Sequence, residues 1–152
     1  MIDFAITHGV HVAAVVIWIG GVAFVTLALM PALLSLPAAD RMRQFNVLER
    51  RFAPLARICV LLAGLTGFWM VWRADMWWRF TQVQFWWMHA MVLLWAVFTA
   101  MLFVVEPLFL HHHLEDSSTP ARTFARMQTM HRVLLALSLL TILGAGAGSH
   151  GL

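Results

Sequence analysis

The chain offers little for the chemistry of sulfur or of charge. It has one cysteine, no lysine, and charged residues at only 11% of its 152 positions. A lone Cys59 excludes an internal disulfide and a Cys-x-x-Cys-His attachment, so any haem in this protein has to be held without covalent bonds. The scarcity of charge argues against a soluble domain. With 62% hydrophobic residues and a mean hydropathy of +0.82, a chain of this length cannot hide its apolar surface from water and belongs in a lipid bilayer. Ten basic residues, all arginine, stand against seven acidic ones. In a membrane protein that balance bears on topology, and no nucleic-acid partner is expected. A cleavable signal peptide is not expected either: the first apolar run lacks a basic n-region and is too long for an h-region.

What the chain has in quantity is long apolar runs. Four segments, at roughly residues 4–36, 53–72, 85–110 and 130–148, each approach the ~20 residues that cross a hydrocarbon core of about 30 Å. Only helices and closed barrels span lipid, and these runs lack the alternation of barrel strands. The expectation is an all-α integral membrane protein, one domain over residues 1–152, folded as an up-down four-helix bundle. The first segment is overlong and is expected to tilt or to emerge near Pro31.

Orientation follows from the arginines. Arg41, Arg43, Arg50, Arg51 and Arg57 lie after the first segment or at the start of the second, and Arg122, Arg126 and Arg132 lie around the start of the fourth. Only Arg73 and Arg79 fall on the other side. Eight against two places the arginine-rich loops in the cytoplasm and both termini outside, in a bacterial inner membrane. The outer rim carries Trp69, Trp72, Trp77, Trp78, Trp86 and Trp87, which read as an interfacial aromatic belt or as walls for a planar ligand. Gly20, Gly21, Gly64, Gly67, Gly144, Gly146 and Gly148 mark close helix contacts.

Histidine is the residue type that apolar packing does not explain. An ionisable side chain inside a membrane is costly, and a functional role is its first reading. His11 lies seven residues past Phe4, about 10 Å below the outer surface, and His89 lies four residues past Phe85, about 6 Å down. The two helices run inward on one diagonal of the bundle, so the pair suits bis-imidazole ligation of a haem between them. The plain alternative is that each imidazole hydrogen-bonds a backbone carbonyl or a serine. His8 and His150 are also outer-side and offer a second site, for a metal or for proton exchange. The run His111-His112-His113 reads as the start of a solvated loop, and His131 as the nucleus of any inner-side haem. Arg73 and Arg79 flank the loop beside His89, where they would pair with haem propionates or simply snorkel. Glu106-Pro107 either carries protons or ends the third helix.

His11, six intervening residues and then Trp18-Ile19-Gly20-Gly21 resemble the first-helix signature of the HemJ-type protoporphyrinogen oxidases and related CopD-type membrane proteins. Trp87-Met88-His89-Ala90-Met91 is similar to their third-helix motif, in which a lysine follows the histidine by two positions, and Leu65-Thr66-Gly67 is similar to a step in their second helix. The resemblance covers about two-thirds of the chain. It implies a four-helix core with a b-type haem on His11 and His89, next to Trp18 and Gly20. Met91 stands where that lysine would be, and Gln128-Thr129 where the HemJ-like proteins have an asparagine–glutamate pair. Both departures argue against protoporphyrinogen oxidation and leave haem binding intact.

The expected function is therefore that of a membrane haem b protein, passing electrons to or from a quinone or an outer-side redox partner protein. Two other classes stay open. Copper transport or resistance is suggested by the CopD resemblance and by ten methionines, although these are scattered over both sides without a ligand cluster. A non-enzymatic subunit of a larger homo- or hetero-oligomeric complex would dock through the tryptophan-rich rim.

Overall fold

In the computed structural model, which describes residues 1–105 and 120–149, nearly every one of those residues is helical and none forms a strand. Helix α1 runs Ile2–Phe24 and continues through a π turn, Val25–Leu29, into a last turn, Met30–Leu33. Helix α2 is Ala38–Arg73, α3 is Trp86–Ala100 with a π turn at Met101–Val105, and α4 is Pro120–Ser149. Four spans, Ile2–Leu33, Asp40–Arg73, Val83–Val105 and Ala121–Gly148, are long and apolar enough to cross a bilayer. The protein is a multi-span helical membrane protein.

Two helices start earlier than hydropathy suggests. At 36 residues, α2 is about 54 Å long and overshoots a hydrocarbon core of about 30 Å, so the arginine-rich stretch read as a loop is a helical extension. Asp40 in its first turn complements the helix dipole and pairs with Arg43 at 2.9 Å. Helix α4 likewise begins at Pro120 rather than near 130. The extensions pack on each other through Phe45 and Phe124, whose rings meet edge to face at 6.4 Å in a cluster with Met30 and Leu33. Arg41 closes this end: its Nε donates to the Leu36 carbonyl at 2.7 Å and a terminal nitrogen to that of Leu34 at 3.0 Å, capping the end of α1.

The π turn of α1 precedes Pro31, which has no N–H to give and whose ring would press on a regular helical carbonyl four residues back. The widened turn routes the Met30 N–H to the Val25 carbonyl.

Helix α1 packs chiefly on α2, and contacts pass in opposite senses along the two: Asp3 meets Arg73, His11 meets Ala63 and Thr66, and Gly21 meets Phe52. Helix α3 packs chiefly on α4, and α2 also touches both. The main core gathers Ala14, Trp18, Val22, Val60, Phe98 and Leu135 from all four helices. Several indoles are seated where a neighbour has no side chain. A Cβ on Gly64 would overlap Trp95, one on Gly144 would overlap Trp86, and one on Gly148 would overlap Trp87. Trp87 is therefore buried packing, while Trp72, Trp77, Trp78 and Trp86 remain exposed in keeping with an interfacial belt.

Candidate functional site

His11 is the histidine that the fold holds most deliberately. It lies on the stripe of α1 that continues into buried Ala14 and Trp18, and its Nδ1 stands 3.0 Å from the Ala63 carbonyl and 3.0 Å from Thr66 Oγ1. A carbonyl only accepts, so Nδ1 carries the proton, and Nε2 keeps the lone pair. The Thr66 hydroxyl in turn donates to the Leu62 carbonyl at 2.5 Å, which leaves its oxygen as an acceptor for the imidazole. Gly67 completes the seat: a Cβ there would stand 3.2 Å from His11 Cε1. The Leu65-Thr66-Gly67 step is thus the part of α2 that grips this ring.

His89 is placed differently. The inward stripe of α3 is Trp87, Leu94 and Phe98. His89, two positions on from Trp87, is about 200° around the helix, exposed, with its ring edge-to-face against Phe80 at 5.3 Å. No hydrogen bond or ring contact joins His89 to His11, and Trp18 against Phe98 at 4.9 Å is a contact between α1 and α3. His8 is exposed, one turn above His11. His150, the 111–113 triplet and Glu106-Pro107 lie outside the described residues. Among the described residues, no group of three or more His, Cys, Asp or Glu side chains is arranged to hold a metal ion.

The other expected site residues also separate. Trp18 is buried at 5% exposure, and its Nε1 has no hydrogen-bond partner among the described residues. Gly20 faces open space on the outer side of α1, so it does not join Trp18 and His11. Arg73 is engaged by Asp3, Nε to Oδ2 at 3.3 Å. Arg79 lies over the rings of Trp78 at 5.5 Å and Phe85 at 5.0 Å. Neither arginine stands beside the His11 ring.

Of one polar layer, sequence reasoning singled out only His131 as a site residue. One helical turn towards the arginine-rich end from Val22, Val60, Phe98 and Leu135 lie Thr26, Ala56 with Arg57, Leu102 and His131. Arg57 donates from Nε to the Leu102 carbonyl at 3.0 Å, within the π turn of α3, and the π turn of α1 holds buried Thr26. His131 Nδ1 stands 2.9 Å from the Met127 carbonyl, and its ring is edge-to-face with Phe45 at 5.9 Å. Gln128, on the same stripe of α4, has a buried Nε2 without a partner among the described residues. The signal was present in the sequence, since Arg57 and Gln128 are polar residues near apolar runs, but counting arginines for topology hid it. Met30, Met42 and Met127, expected to be scattered, share the core cluster at this end.

Compared with known proteins, the chain matches no family model, no curated protein and no solved structure.

Proposed function

We propose that this protein is a bacterial inner-membrane haem b protein, an up-down bundle with its arginine-rich helix ends cytoplasmic and both termini outside, that exchanges electrons with a membrane quinone or an outer-side redox partner. The observation that carries this reading is the seat of His11. Imidazoles that ligate metals characteristically give their other N–H to a carbonyl or carboxylate, which fixes the ring and makes it a better donor. His11 has that arrangement, with Nδ1–H given to Ala63 and Thr66 and the Nε2 lone pair left for iron. Trp18, one face with His11 and two turns along, offers an unpartnered buried N–H to a polar edge of the same ligand.

The donor set fits one protein imidazole on the iron. His89 faces away from the Trp18–Phe98 contact, and the proposal does not require it. When bound, the haem supplies one-electron redox chemistry. The chain's own part is to hold the axial imidazole rigid through Thr66 and Ala63, to keep room beside it at Gly67, and to surround it with apolar residues. Met91 in place of the family's lysine keeps protoporphyrinogen oxidation out of the proposal.

An absorption spectrum of the detergent-purified protein, oxidised and then reduced with dithionite, tests the reading. A Soret band is expected, lost in His11→Ala and retained in His89→Ala. A colourless wild-type protein from haem-replete cells refutes it.

A further inference from the structure

We infer that the inner polar layer built from Gln128, His131, Arg57 and Thr26 is a binding site for the head group of a lipid-soluble quinone. A quinone head is a flat ring with two carbonyl acceptors, and its reduced form carries hydroxyl donors. The layer offers a counterpart for each. Gln128 Nε2 is a buried donor with no partner among the described residues, and buried polar atoms left unpaired are costly unless something else satisfies them. The Nδ1 of His131 is committed to the Met127 carbonyl, so its Nε2 keeps the lone pair and accepts from a hydroxyl. Gln128 and His131 are three positions apart on α4 and share a face.

The surroundings suit a planar ring. Phe45 stands edge-on to both His131 and Phe124, so the layer is bordered by aromatic and apolar side chains. Arg57, tied to the Leu102 carbonyl, brings a positive charge to a depth where a cation is otherwise costly. The π turns of α1 and α3 fall beside the same layer, and such turns recur at functional sites in helices. The site lies on the far side of the Val22–Val60–Phe98–Leu135 layer from His11, so the two sites are separate.

The purpose of this site rests on the redox reading above, but its geometry does not. The test is equilibrium binding of a short-chain ubiquinone to the full-length protein in detergent micelles. Saturable binding is expected, weakened about tenfold or more in Gln128→Leu and in His131→Phe, the loss of one hydrogen bond to a buried partner, and unchanged in Gln82→Leu and His8→Phe. Unchanged affinity in folded Gln128→Leu and His131→Phe overturns the site. Should those variants not fold, photolabelling of the wild-type protein with an azidoquinone decides: the tryptic peptide 127–132 is expected to carry label that excess unlabelled quinone displaces, and its absence overturns the site. Loss of quinone binding with the Soret band intact, or the reverse, shows which of the two readings has failed.

Discussion

Replacing Gly64 by alanine measures how much the indole seats contribute to this bundle. An added Cβ would fall 2.5 Å from Trp95 Cε2 and 2.7 Å from Cζ2, too close for any real contact. The indole cannot swing aside freely. Its Nε1 donates to the Val60 carbonyl at 3.0 Å, and its ring lies edge-on to Phe68 at 5.5 Å. Overpacking of this kind costs about 1–3 kcal/mol. Loss of the Trp95–Val60 hydrogen bond adds about 0.6 kcal/mol at membrane depth. Against these terms, alanine is better than glycine in a helix by about 0.5–1 kcal/mol. Gly20→Ala is the control, because nothing lies within 4 Å of a Cβ there. Both variants share the helix gain, so the difference between them isolates the steric cost. Gly64→Ala is expected to be less stable than Gly20→Ala by about 1.5–3.5 kcal/mol in SDS-induced unfolding from mixed micelles, followed by circular dichroism. A second substitution, Trp95→Leu, is expected to recover part of the loss, with a coupling of about 1 kcal/mol. Equal stabilities, or no coupling with Trp95, would refute the close approach of α2 and α3.

Arg41→Ala uncaps the end of α1 and leaves the Leu34 and Leu36 carbonyls without their arginine partner; a loss of about 0.5–2 kcal/mol is expected in the same unfolding assay, with Arg43→Ala as a milder comparison. Asp3→Asn breaks the pair with Arg73, whose side chains are 47% and 51% exposed, so a loss below about 1 kcal/mol is expected, shrinking further in high salt. For topology, cysteines placed at Asp75 and at Arg43 in a Cys59→Ser background are expected to react with a membrane-impermeant thiol reagent from opposite sides of the membrane, Asp75 from outside. Reaction of both from one side would remove the up-down arrangement.

The apolar runs were enough to call for helices, since no other open structure satisfies its backbone in lipid, and the four spans follow from that alone. His11 was also legible, as an imidazole in a long apolar run with a small-residue step available in the next helix. The faces of the helices were not. In a soluble helix the polar side marks what is outside, but lipid is as apolar as a protein core, so hydropathy says nothing about which way a residue points. Matched depth is therefore all that pairs His11 with His89 in the sequence; in the structure His89 is exposed on α3 and Gly20 is exposed on α1. The same blindness hid the glycine seats of Trp86, Trp87 and Trp95, which depend on register between helices. Hydropathy also tracks the bilayer rather than the helix, so it stopped α2 at the membrane surface, although the helix continues for about 15 residues beyond to pack Phe45 on Phe124. By itself, then, the sequence determined the class, the number of spans and one half-buried imidazole, because each follows from the cost of polar groups in hydrocarbon. The tertiary structure alone decided which polar groups meet: His11 with Thr66, Arg57 with the Leu102 carbonyl, and His131 with Phe45. Such meetings depend on helix rotation and register, which packing between helices sets and composition does not.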